Sequence, residues 1–149
     1  MLATAVAVPV AVVAGLIAAR LDRPDPLTVS VSPVDAEAKR ACAHLVDALP
    51  SRLGALPARR VTGSSRAAAA WGNPPVVLRC GLPPRAGPVG DLLTLDRVDW
   101  TFEADNTGVT WWTVRRRVTV EVRVPGRYDS QGPLLAMLSP ALLRTVPAG

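Results

Sequence analysis

The carboxy-terminal half of the chain alternates between apolar and polar positions. Val98, Trp100 and Phe102 fall on one side of an extended segment, with Asp99, Thr101 and Glu103 on the other. That period of two marks a strand with one buried face. Asp105-Asn106-Thr107-Gly108 reads as a hairpin turn, and residues 109–114 return from it. Residues 117–124 alternate most cleanly, with Val118, Val120, Val122 and Val124 inward and Thr119, Glu121 and Arg123 outward. Residues 27–31 predict a shorter strand of the same kind. Residues 75–80 are apolar apart from Arg79 and predict a buried strand, ended by Gly81 and the Pro83-Pro84 pair.

Helical spacing occurs twice. Ser32-Pro33-Val34-Asp35 reads as a helix start, with Ser32 as N-cap, Pro33 at the first position and an acid at the third. Ala38, Ala41, Cys42, Leu45, Val46 and Leu49 form its apolar stripe, and Pro50 ends it. His44 falls on the opposite face, near Arg40 and Asp47. Gly132-Pro133 opens a second apolar helical segment, which Ser139-Pro140 restarts towards Val146. Residues 51–74 lack a period and read as loop, with one helical turn at Ala67 to Ala70. The order predicts an α+β fold, a mostly antiparallel sheet packed by two helices.

The amino-terminal segment follows neither pattern. No side chain in residues 1–19 is charged, and the run ends at Arg20-Leu21-Asp22-Arg23. As a helix it would reach about 28 Å, close to the hydrocarbon thickness of a bilayer. A transmembrane signal anchor over residues 1–21 fits that length, followed by a polar spacer at 22–26 and an extracytoplasmic domain at 27–149. A cleaved signal peptide needs small residues just before the cut, for which Val13-Ala14-Gly15 is the candidate. A buried helix would show a polar face, and this run has none. No cysteine stands near its end, which excludes a lipid-modified cysteine. Arg20 and Arg23 follow the run while nothing basic precedes it, so the positive-inside rule alone would leave the domain in the cytoplasm.

Composition adds less. The 149 residues hold 49% apolar residues, too many for a disordered chain, and 15 Pro and 11 Gly, which imply short elements and many turns. The basic residues are arginines except Lys39, and the net charge is +5. Such a surface favours anionic envelope components such as lipid head groups or wall polymers, with another envelope protein as the alternative partner. Nucleic acid is not an expected partner of an exported domain.

No catalytic constellation stands out. Cys42 and Cys80 are the only cysteines, and in an exported domain an even count favours a disulfide between the helix and the strand. A pair of buried free thiols is the alternative. His44 is the lone histidine, so a hydrolase would have to pair it with Ser64 or Ser65, neither of which sits in a nucleophile elbow. The spacing of Asp91, Asp96, Asp99, Glu103 and Asp105 does not fit a calcium loop, and no metal or other cofactor is expected. Arg115-Arg116-Arg117, between two strands, is a candidate anion-binding tip. Trp100, Trp111 and Trp112 read as core and edge packing, with a sugar platform as the alternative for Trp112. Arg79, a charge in an apolar strand, needs a carboxylate or carbonyl partner if buried.

Trp71-Gly72-Asn73-Pro74-Pro75-Val76-Val77-Leu78-Arg79-Cys80-Gly81, with Cys42 upstream and Val98-Asp99-Trp100 downstream, resembles an uncharacterised actinobacterial family, domain-of-unknown-function family 3515. The resemblance spans most of residues 27–147. It implies a single-pass membrane or secreted protein with a basic leader, one apolar helix and then this domain; this chain lacks the basic leader. It implies no activity and carries over no catalytic residue. Trp71, Gly72, Arg79, Gly81 and Trp100 are therefore candidates for a functional or structural motif, with Gly72 and Gly81 permitting turns and Trp71 capping the core. The combined expectation is a membrane-anchored, disulfide-closed domain serving as an envelope-associated binding or accessory module. The alternatives are a small Ser/His hydrolase and a purely structural scaffold.

Overall fold

The valine ladder of residues 118–124 lies at the centre of an eight-stranded sheet. The computed structural model describes residues 24–84 and 90–149, so the expected anchor at 1–21 and the start of its spacer lie outside the described residues. In chain order the elements are β1 (Leu27–Val29), α1 (Ala36–Ala48), β2 (Arg52–Leu53), β3 (Leu56–Arg59), β4 (Val61–Gly63), β5 (Ala68–Trp71), β6 (Val76–Leu82), β7 (Leu92–Leu95), β8 (Val98–Asp105), β9 (Gly108–Thr113), β10 (Thr119–Pro125), α2 (Gln131–Ala136) and α3 (Ser139–Thr145). The main sheet runs β2-β3-β5-β6-β10-β9-β8-β7, and every described pair in it is antiparallel. β1 and β4 form a separate parallel pair. This is the expected α+β domain, with one long helix and a broken carboxy-terminal one. Among the described residues no helix is long and apolar enough to cross a membrane.

All four ladder valines are buried, as the alternation requires. Register places Val120 opposite Cys80 and Val122 opposite Leu78 on one side and Trp111 on the other. The inner face therefore collects Val76, Leu78, Cys80, Val98, Trp100 and the ladder, and Leu45, Leu135, Leu138 and Leu142 of the helices bury against it. α2 touches β7 at one end of the sheet. At the other end, Gly54 of the β2–β3 turn faces Leu134 and Met137. Both ends meet the same helical segment, so the sheet curls around its core.

Gly81 explains how α1 is seated. β6 carries one more residue than β10 here, because Val120 pairs with Cys80 and Thr119 with Leu82. The extra residue is Gly81, at φ +90°, a glycine-type bulge. A Cβ there would lie 2.7 Å from Pro33 Cβ. The Gly81 carbonyl accepts the Val34 N–H at 3.1 Å, holding residues 33–34 against the strand. One residue earlier, Cys80 is bonded to Cys42 on α1, with Cα atoms 5.5 Å apart.

Three expectations are corrected. Helix α1 starts at Ala36 with Asp35 as N-cap, whose Oδ1 accepts the Ala38 N–H at 2.7 Å; Ser32 lies outside it because Pro33 and Val34 are held by Gly81. Residues 51–74 are not loop but carry four short strands, and the alanine run is strand β5. Its partner β6 supplies the backbone pairing that alanine's own propensity would not. Finally β6 is buried on one face only: Val76, Leu78 and Cys80 point inward and Arg79 is exposed. Edge strand β7 was not expected at all.

Two substitutions test this seating. Gly81→Ala should lower the unfolding free energy by at least about 2 kcal/mol, from backbone strain and the clash with Pro33. Paired replacement of Cys42 and Cys80 by Ala should cost about 4 kcal/mol at the chain-entropy limit. Both are read from urea denaturation midpoints; an unchanged midpoint in either variant contradicts the seating.

Candidate functional site at the Trp-Gly turn

The β5–β6 turn is fixed from three directions. Trp71 is fully buried and its indole N–H donates to the Pro50 carbonyl at 2.9 Å. Gly72 N–H donates to the Pro57 carbonyl at 2.9 Å. The Tyr128 hydroxyl donates to the Pro74 carbonyl at 2.7 Å, next to a cis Asn73–Pro74 bond. Gly72 sits at φ +75°, and a Cβ on it would come within 2.9 Å of the Tyr128 oxygen. Glycine is required at that position for both reasons.

Beside this turn lies a cleft of about 660 Å³, walled by Pro26, Leu56, Pro57, Arg59, Arg60 and Asn73 among others. Arg59 closes β3 and lines the cleft. One guanidinium nitrogen donates to the Asp25 carbonyl at 2.7 Å and the other faces the Gly72 carbonyl at 3.4 Å. Its Nε is buried without a partner among the described residues. Arg59 also lines a smaller hollow of about 280 Å³ shared with Pro50, Val61 and Trp71. The Arg60 side chain is exposed and makes no ion pair or hydrogen bond among the described residues. Its carbonyl accepts the Leu27 N–H at 2.9 Å. The chain enters the domain here: Pro24, the first described residue, and Asp25 line the cleft.

The other motif candidates lie elsewhere. Trp100 is buried in the core. On the sheet's outer face Arg79 donates to Glu121 Oε1 at 3.0 Å, and Trp112 Nε1–H donates to Glu121 Oε2 at 3.1 Å. Arg79 is exposed, so burial does not demand this partner; the pairing follows from register, which places Glu121 opposite it. A neighbouring group joins Arg123, Asp105, Thr107 and Thr110, with Arg123 Nη2 2.7 Å from Asp105 Oδ1 and Nη1 2.9 Å from Thr110 Oγ1. Arg123 foremost, then the Thr107 hydroxyl and N–H, hold the Asp105 carboxyl well below the usual carboxylate range.

The arginine tip does not converge. Arg115 pairs with Asp99 at 3.3 Å, and Arg117 with Glu37 at 3.6 Å. Arg116 donates to the carbonyls of Val146 at 2.9 Å and Arg97 at 3.2 Å. Each ties the tip to a different element. Among the described residues no hydrogen bond joins His44 to Ser64 or Ser65. His44 is exposed on α1, and Ser64 Oγ is engaged with the Val31 N–H at 2.8 Å and the Val31 carbonyl at 2.9 Å. Arg59 and Arg60 were passed over in the sequence because their region shows no period. The available signal was the adjacent arginine pair itself.

Fold and geometry define a small α+β domain, closed by one buried disulfide, with a cleft at the mouth of its chain entry. The model of the family described as protein of unknown function (DUF3515) matches residues 1–149, and the chain belongs to that family. No curated protein and no solved structure matches it.

The outer-face groups give two predictions. A double-mutant cycle on Arg79→Ala and Glu121→Ala should return a coupling of about 0.5–1 kcal/mol, the range of partly exposed pairs; a null coupling contradicts the pairing. Asp105 has a depressed folded pKa, so its stabilising contribution is complete above the unfolded carboxylate value near ~3.9 and is lost as pH falls below it. A carboxyl-carbon NMR titration should show Asp105 still ionised at pH about 3, and Arg123→Gln should return it towards that ordinary range.

Proposed function

We propose that this protein is a membrane-anchored, extracytoplasmic member of its family that acts as an envelope-associated binding or accessory module rather than as an enzyme. The observation that carries the reading is the buried Cys42–Cys80 bridge. Disulfides form and persist in oxidising compartments and are rare in the cytosol. A domain that ties its longest helix to its central sheet this way is suited to export. The uncharged run of residues 1–19 supplies a segment of membrane-spanning length. The cleft favours a binding role over a bare scaffold, and the net charge of +5 favours anionic partners in the envelope.

Thiol alkylation of the full chain in intact cells tests export and bridge together. No cysteine should react before reduction under denaturing conditions, and two should react after it. Two thiols reactive without reductant contradict the proposal. Separately, the chain should stay in the membrane pellet after a sodium carbonate wash; release into the supernatant contradicts the anchor.

A further inference from the structure

We infer that the cleft beside the Trp-Gly turn binds the head group of an anionic phospholipid of the bilayer that anchors the chain. This rests on the membrane-anchored reading above. Three observations on separate features meet here.

The first is where the chain enters. The uncharged run ends at Ala19, and Pro24 lines the cleft. Five residue steps cannot span more than about 18 Å. The cleft's mouth is therefore held close to a head-group layer that is itself roughly 5–8 Å deep in each leaflet.

The second is charge. Arg59 and Arg60 both line the cleft and Arg52 is exposed on the adjoining strand. Among the described residues the only acidic side chain of the lining is Asp25. Arg59 is pre-positioned by the Asp25 and Gly72 carbonyls, whereas the Arg60 side chain makes no bond among the described residues. A fixed guanidinium beside a free one suits a phosphate group, which accepts several charge-assisted hydrogen bonds.

The third is the apolar remainder of the wall. Pro26, Leu56, Pro57 and Ala58 flank the arginines. A free inorganic anion would leave that surface unmatched. An amphiphile places its phosphate on the arginines and its glycerol and first methylenes along these side chains.

The test uses the purified full chain in a non-ionic detergent and follows phenylglyoxal modification of Arg59 and Arg60 by peptide mass spectrometry. Dihexanoylphosphatidylglycerol should slow modification of both about fivefold or more, with exposed Arg144 on α3 unaffected. Dihexanoylphosphatidylcholine and inorganic phosphate should give little protection. Arg60→Gln, which removes no described side-chain bond, should raise the lipid concentration for half-protection of Arg59 by about five- to tenfold, and Arg60→Lys should largely restore it. Equal protection by inorganic phosphate overturns the lipid assignment, and equal protection by the zwitterionic lipid overturns the role of charge. No protection, or an Arg60→Gln chain indistinguishable from the parent, overturns the site. The short-chain lipid is in solution, so a chain released by carbonate would sink the anchor without touching this result.

Discussion

The junction of α1 with β6 is the constraint on which the rest of this domain depends. Two consecutive residues make it. Cys80 is bonded to Cys42 in the buried centre of α1, and Gly81 bulges out of the strand so that Pro33 can lie against it. The bond fixes the helix along the sheet, and the bulge fixes where the helix starts. Neither would work with an ordinary residue at position 81, since φ +90° and contact with Pro33 leave no room for a Cβ. With α1 seated on β5 and β6, Leu45 joins the buried core, and the carboxy-terminal helices close the remainder. A fold of this size with few aromatics has a modest core, and a cross-link over a long loop offsets part of the chain entropy.

The same junction links architecture to compartment. The hydrophobic burial would be as favourable in the cytosol as outside the cell, but the bridge would not persist there. Under the proposed export, the support for topology comes less from the amino-terminal run, whose flanking arginines point the other way, than from the Cys42–Cys80 bridge of the folded domain. The outer face of the sheet is independent of this logic. Arg79, Glu121 and Trp112 satisfy one another there, as do Arg123, Asp105 and Thr107, so charges that look like functional candidates in the sequence are committed to cross-strand pairing.

What was legible in the sequence follows the strength of local signal. Val118 to Val124 could be assigned to a half-buried strand because every second residue is a valine and the polar positions are unambiguous. Asp105-Asn106-Thr107-Gly108 could be assigned to a turn because Asp105 caps it, its Oδ1 accepting the Thr107 N–H at 2.7 Å. The start of α1 was misplaced because Ser32 and Asp35 are equally good caps locally. Gly81, some 50 residues on by sequence number, decides between them. Strands β2 to β5 were invisible because they are two to four residues long, too short for a period to show, and mix Leu53, Leu56, Val61, Thr62 and Trp71 with Arg, Ala, Pro and Gly. Their conformation is imposed by partners, not propensity. The cleft was missed for the same reason, since its walls come from that stretch and from the spacer.

The central claim is that the bridge-seated domain stands outside the cell, and the most direct measurement is a topology reporter. Alkaline phosphatase, itself active only where disulfides form, is fused after Gly149 of the full chain and assayed in intact cells, with a β-galactosidase fusion at the same position as counterpart. The expected result is an active phosphatase and an inactive galactosidase. An inactive phosphatase with an active galactosidase would place the domain in the cytosol and contradict it.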